Sequence, residues 1–364
     1  MKRLRELDFL RGIAIILVFF RHQYLFEFTH NMGWIGVDLF FVLSGFLVSG
    51  LLFKEYLKFG NIEPKRFLIR RGFKIYPIYY LTYPIYFGAM LYKDDFSIVG
   101  LLSDLTFTQN YFWGYGYAYS ASWSLAVEEH FYFGFSIILW LGLRFNKIKL
   151  RLDDSNGLKR IEIYLIIVMA FCLILRLINN YYFPISAEQF TLTHFRIDSL
   201  LMGVLISYLF YFRKKYLQKI FQSNKKVLIA IAFLGIIWTP FIEPIPSFFA
   251  KTYGFSLLYV SFGILLLSFL FTENINLKLN IVFSSFVVNL ISKIGYCSYS
   301  IYIIHLFVNG TTKHISLYFN LSFSHYFNFI FTSAISILVG MIMTYKIEKY
   351  FLTIRDKFYP GRVN

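Results

Sequence analysis

Apolar residues dominate this chain in stretches of roughly 20, the length a helix needs to cross the ~30 Å hydrocarbon core of a bilayer. Ten such stretches can be drawn, at about 9–27, 34–53, 75–92, 123–143, 161–178, 194–212, 227–243, 252–271, 294–312 and 326–345. A helix satisfies its backbone hydrogen bonds internally, so helices are the expected way of spanning lipid. The pattern therefore predicts an all-α, polytopic integral membrane protein with about ten transmembrane helices. The first stretch, from Phe9, carries Arg11, Arg21 and His22, and no small-residue cleavage site follows it. It is expected to be a retained helix and not a cleaved leader.

Composition strengthens that reading. The 364 residues are 57% hydrophobic, 22% aromatic and only 15% charged, whereas a soluble domain is about 45–50% apolar and about 25% charged. The charge also has a side. The N-terminus (Lys2, Arg3, Arg5), the connections 54–74, 144–160, 213–226 and 272–293, and the tail from Lys346 hold 29 of the 36 Lys and Arg. The alternating connections hold only Lys93, Lys251 and Lys313. Such a bias predicts that both ends and the basic connections are cytoplasmic. It also accounts for the net charge of +16 without nucleic acid, while leaving the basic loops free to touch anionic lipid. Cys172 and Cys297 fall inside predicted helices, so neither a disulfide framework nor a metal site is expected. No repeat or linker stands out, and the connection 93–122 is too short to bury a core. One membrane domain over 1–364 is expected.

Ionisable groups within a bilayer are costly unless paired or hydrated, and each marks a candidate site. At 1.5 Å per residue, His22 lies about 16 Å above Arg11, and eleven residues at 100° return the two to nearly one helical face. Asp38, Glu128, Glu129, His130, His194, Arg196 and Asp198 fall in the outer half, and His305 near mid-depth. Arg70, Arg71 and Lys74 sit at the inner surface. The set reads as two sites at two depths. The plainer alternative is structural ion pairing, such as Asp38 with Arg21 or Asp198 with Arg196.

Several motifs follow one another in a recognisable order. Leu7-Asp8-Phe9-Leu10-Arg11-Gly12 is followed by Arg21-His22, then by Gly36-Val37-Asp38-Leu39-Phe40-Phe41-Val42-Leu43-Ser44-Gly45-Phe46. Next come Arg70-Arg71-Gly72-Phe73-Lys74-Ile75-Tyr76-Pro77 and Trp123-Ser124-Leu125-Ala126-Val127-Glu128-Glu129-His130-Phe131-Tyr132. Arg196-Ile197-Asp198 with Gly203, and Ser298-Tyr299-Ser300-Ile301-Tyr302 with His305, complete the series. This order resembles acyltransferase family three, membrane-bound O-acyltransferases of surface glycans. Lys74 and His130 depart from it, standing where arginine and glutamine are usual.

The resemblance implies a protein of the bacterial cytoplasmic (inner) membrane that transfers an acyl group, most often acetyl from cytoplasmic acetyl-CoA, to a hydroxyl of a surface or lipid-linked glycan such as lipopolysaccharide O-antigen. Arg70, Arg71 and Lys74 could hold the CoA phosphates, because guanidinium and phosphate pair through two hydrogen bonds. Arg11 could neutralise the inner part of the donor. His22 has the chemistry to take a hydroxyl proton or to carry the acyl group itself. Glu128, Glu129 or, less directly, Asp38 could orient its imidazole, as the third member of a triad does. Arg196 could steady an oxyanion. Ser44 and Ser124 are nucleophiles by type but suit close helix packing. The aromatic run Asn110–Tyr119 could stack on sugar or anchor the membrane interface. A transporter or flippase of a lipid-linked sugar is the rival from another class, and interrupted helices would favour it.

Overall fold

The computed structural model describes residues 4–92, 96–184 and 186–362; Lys2, Arg3 and Lys93 of the charge count lie outside them. The described residues are helical, with no strand among them. The principal helices are α1 (Arg5–His22), α2 (Gly36–Phe59), α3 (Pro64–Tyr92), α4 (Trp123–Arg144), α5 (Arg160–Tyr182), α6 (Thr193–Phe212), α7 (Lys225–Ile237), α8 (Phe255–Phe271), α9 (Ser285–Tyr296), α10 (Ser298–Tyr318), α11 (His325–Ile342) and α12 (Lys349–Phe358).

A helix occupies each of the ten apolar stretches, yet among the described residues five helical segments are both long and apolar enough to cross a bilayer, or up to seven if two bent pairs each count as one. The reason is chemical. Charged side chains of the motifs lower the apolarity of α1 and α4, tyrosines with Pro77 and Pro84 lower that of α3, and Asn309, Lys313, His305 and His314 lower that of α10. The chain is a multi-pass membrane protein. One bent pair joins Ile275–Phe283 to α9 at 113°, and the other joins Lys214–Ser223 to Lys225–Phe241 at 80°. The stretch expected at 294–312 is therefore divided, with Cys297 between α9 and α10. The basic connection expected at 54–74 is mostly helix, because α2 runs on to Phe59 and α3 begins at Pro64. Proline suits that start, as its missing N–H would have no partner in the first turn. Arg70, Arg71 and Lys74 are thus fixed on a helix face.

Two close helix contacts set the frame. A Cβ on Gly45 of α2 would strike the Leu200 carbonyl oxygen of α6, and one on Gly203 of α6 would strike the Val42 carbonyl oxygen of α2. Likewise a Cβ on Gly12 of α1 would meet the Ile291 carbonyl of α9, and one on Gly295 would meet the Asp8 carbonyl. Backbone-to-backbone approach through small residues is how helices associate in lipid, where no hydrophobic drive separates helix from tail.

The connection 96–122 folds inward around one carboxylate. Asp104, fully buried, accepts from the backbone N–H of Ala118 at 2.8 Å and of Tyr117 at 3.2 Å, and from the Tyr83 hydroxyl at 3.1 Å. The Tyr119 hydroxyl donates to the Tyr302 carbonyl at 2.6 Å. The aromatic run is therefore part anchor and part surface, with Tyr119 buried and Tyr111, Phe112 and Trp113 exposed.

Candidate active site

Three cavities follow one another through the helices and share lining residues. The first, about 240 Å³, is lined by Arg11 of α1, Ser44 of α2, Arg71 and Lys74 of α3, and Glu128 and Tyr132 of α4. The second is a neck of about 60 Å³ that shares Arg11, Phe40, Glu128 and Tyr299 with the first. The third, about 320 Å³, shares Val37 and Tyr302 with the neck and is lined further by Arg21, His22, Trp34, Tyr115 and Arg196. Arg11 and His22, on one helix, thus line the first and the last of three adjoining cavities.

The first cavity is cationic with one carboxylate at its wall. The Tyr132 hydroxyl donates to Glu128 Oε2 at 2.7 Å and lies 2.8 Å from the Ser44 hydroxyl. Lys74 Nζ pairs with Glu348 at 3.1 Å, which leaves the Arg11 and Arg71 guanidinium groups to set the sign of the space. The Arg71 guanidinium lies over the Phe67 and Tyr132 rings at 5.7 and 5.9 Å. Arg70, one residue earlier and about 100° around the helix, turns away from the cavity. It pairs with Asp356 near the end of α12 at 3.1 Å and donates to the carbonyl of Tyr359, the residue that follows that helix.

In the third cavity His22 meets another histidine and not a carboxylate. Its ring centroid is 5.0 Å from that of His305 on α10. His305 Nδ1 lies 2.5 Å from the Tyr302 carbonyl oxygen. A carbonyl only accepts, so Nδ1 carries the proton and Nε2 holds the lone pair. That Nε2 is buried and has no partner among the described residues. Glu128 faces the first cavity and the neck, while Glu129 accepts from the Tyr76 hydroxyl at 2.8 Å. Neither carboxylate meets the His22 ring among the described hydrogen bonds and ring contacts. An axial rise gives a residue's depth but not which neighbour its side chain faces, so sequence alone grouped them.

The buried ions pair across helices in a pattern the sequence did not separate. Asp38 of α2 joins Arg196 of α6 at 2.8 Å, and Asp198 joins Arg176 of α5 at 2.6 Å. Arg21 reaches Glu243 at 2.9 Å instead. Asp38 also accepts from the Ser199 hydroxyl at 3.2 Å. The Arg196 guanidinium lies 3.8 Å from the Phe255 ring centroid, a cation–π contact. Its Nη2 serves Asp38, whereas Nη1 and Nε are buried without a partner among the described residues. A fixed guanidinium with unused donors at the edge of a cavity can stabilise a negative oxygen. Ser124, by contrast, lies 2.7 Å from the Tyr302 hydroxyl and helps hold the neck.

Residues 4–346 match a family model described as an acyltransferase domain. The chain belongs to acyltransferase family three. Among its relatives is "Peptidoglycan O-acetyltransferase OatA" of Listeria monocytogenes, 33% identical over 99 residues, which are 26% of this chain and 16% of that protein. "Putative peptidoglycan O-acetyltransferase YrhL" of Bacillus subtilis is 40% identical over 75 residues, 21% of this chain and 12% of the relative. A Staphylococcus aureus (strain COL) protein named "Putative O-acetyltransferase SACOL0978" is 36% identical over 109 residues, 29% of this chain and 17% of the relative. The matched segments thus span 12–17% of these relatives. No solved structure matches the chain.

Proposed function

We propose that the protein is a membrane O-acetyltransferase that moves acetyl from acetyl-CoA to a hydroxyl of a cell-surface glycan. The observation that carries this reading is the series of adjoining cavities, which share wall residues from the Arg11–Arg71 space past the neck to His22. In this reading the cationic cavity faces the cytoplasm across a bacterial cytoplasmic membrane, an orientation that the charge bias of the connections supports. There Arg71, Lys74 and Arg11 meet the CoA phosphates, with Arg70 holding the tail beside them. The pantetheine arm is long, thin and uncharged, which suits a 60 Å³ neck.

Chemically, the His22 ring turns during the reaction so that His305 Nε2, unpartnered in the structure, accepts the N–H of one His22 nitrogen and leaves the other with its lone pair. That nitrogen takes the proton of a sugar hydroxyl as the oxygen attacks the thioester carbonyl carbon. Arg196 Nη1 meets the oxyanion. The C–S bond then breaks, the thiolate takes the proton from His22, and an ester and free CoA leave on opposite sides. Tyr115 and Trp34, which line the histidine cavity, offer faces to a sugar ring. The relatives' names favour peptidoglycan over lipopolysaccharide as the glycan.

The test is release of free CoA by reconstituted protein supplied with acetyl-CoA and muropeptide or lipid-linked glycan. Acceptor-dependent thiol release with a new glycan O-acetyl signal in NMR is expected. Movement of a lipid-linked sugar across the bilayer with the thioester intact would overturn the reading in favour of a transporter.

A further inference from the structure

Away from the acyl-transfer route, the segment between α4 and α5 encloses a pocket of about 370 Å³ lined by Lys147, Lys149, Arg151, Lys159 and Arg160. Its frame is built and not a loose loop. Arg213, fully buried, pairs with Glu162 at 2.5 Å, donates through Nε to the Asp153 carbonyl at 2.9 Å, and donates to the Ser155 carbonyl. The Asp153 N–H in turn donates to the Phe212 carbonyl at 3.0 Å.

The pocket holds more positive charge than it neutralises. Asp153 lies 2.6 Å from Lys159, and hydrogen bonds from that lysine and from Ser155 keep its carboxyl below the usual carboxylate range. Asp154 is turned to the backbone N–H groups of Lys215 and Tyr216, and Glu162 is taken by Arg213. Lys147, Lys149, Arg151 and Arg160 have no acidic partner among the described residues.

The wall of this pocket continues as a bare apolar stripe. Tyr164 lines the pocket, and Tyr164, Ile167, Phe171, Ile174 and Ile178 recur at three- and four-residue steps, all exposed. That spacing places them on one face of α5, about 21 Å long at 1.5 Å per residue. This is longer than half the ~30 Å hydrocarbon core. Leu152 and Leu158, in the same segment, are 73% and 63% exposed and add apolar side chains beside the pocket that a lipid surface would cover.

We infer that this pocket is a binding site for the phosphate head of an anionic phospholipid, whose acyl chains lie along the exposed face of α5. The charge supplies the head-group contact and the stripe supplies the chain contact, and only a lipid satisfies both together.

The experiment uses the full chain in nanodiscs of mixed phosphatidylglycerol and phosphatidylcholine, reading the lipids retained by native mass spectrometry. The wild type is expected to retain phosphatidylglycerol over phosphatidylcholine, less so at high salt, and to keep it when inorganic phosphate is added in excess. Arg151→Gln alone should weaken retention about fivefold, and the combined Lys147→Gln, Lys149→Gln, Arg151→Gln and Arg160→Gln variant should abolish the preference. Lys219→Gln with Lys226→Gln, which removes two cations elsewhere, should leave it. Equal loss in that control would mean diffuse charge, and stripping by inorganic phosphate would mean a free-phosphate site. Unchanged retention in both pocket variants, or loss of acetyl-CoA binding in place of lipid, would likewise overturn the inference.

Discussion

His22 ends α1 and His305 lies in α10, and their ring centroids are 5.0 Å apart. The Tyr302 carbonyl fixes the His305 proton on Nδ1, so the nitrogen left for His22 is an acceptor. His22→Ala should therefore lose transfer by roughly 10²–10⁴-fold while inserting normally and binding acetyl-CoA. His305→Ala should lower kcat by about tenfold or more with little change in acceptor KM, the pattern of a group that positions the base. His305→Gln retains an acceptor and should recover part of the loss, which a merely structural role would not predict. Stopped-time assays of glycan O-acetylation read both; near-normal transfer in His22→Ala would exclude this mechanism.

The two neighbouring arginines of α3 should separate cleanly. Arg71→Ala removes a charged contact from the first cavity and should weaken acetyl-CoA binding about tenfold or more, the scale of a hydrogen bond to a charged group. Arg70→Ala should leave donor affinity unchanged and instead free the end of α12 and the residues after it, which Asp356 and Tyr359 anchor to α3. Calorimetry with acetyl-CoA reads the first effect, and protease sensitivity of the C-terminus reads the second. Equal losses of affinity would show that Arg70 also reaches the donor.

Much of this was legible from the sequence, and the limits have physical causes. Apolar stretches place a helix at all ten expected positions because lipid demands internal backbone bonding. The spacing of Arg11 and His22 lets them line two of the adjoining cavities from one helix because helical phase is local arithmetic. Partner choice is different. Arg196 pairs with Asp38 and not with Asp198, its near neighbour in sequence, because Gly45 and Gly203 let α2 and α6 touch backbone to backbone. The role of Asp104 in folding the connection 96–122 was equally hidden, since its partners are backbone groups 13 and 14 residues away.

That cross-helix pair makes a stability prediction. Both Asp38 and Arg196 are buried, and removing one partner strands a charge, at a cost of about 3–5 kcal/mol. Arg196→Ala should accordingly lower the thermal midpoint in detergent, and Asp38→Ala added to it should restore part of the loss. Arg196→Lys should restore stability more than turnover, because an ammonium lacks the second fixed donor aimed at the cavity. Full activity in Arg196→Lys would remove the guanidinium from the oxyanion role.

Orientation is open to direct labelling. Cys172 and Cys297 are both buried, so single cysteines introduced at Lys215 and Tyr115 should report without background. Position 215 is expected to react from the cytoplasmic side only, and position 115 from the outside only. The reverse pattern would exchange the donor and acceptor ends of the route.

The neck gives the sharpest separation between an acyl-transfer route and two unrelated pockets. Val37 lines both the neck and the histidine cavity, while the first cavity lies beyond Phe40 and Glu128. Val37→Phe puts a ring where only about 60 Å³ is open, at an overpacking cost of about 1–3 kcal/mol. Acetyl-CoA should still bind, since Arg11, Arg71 and Lys74 are untouched, but its acetyl group should no longer reach His22. The expected result is a donor Kd within about threefold of wild type and O-acetylation reduced to background. If transfer continues at the wild-type rate in a stably folded Val37→Phe variant, the thioester does not travel this way, and the two larger cavities serve separate ligands.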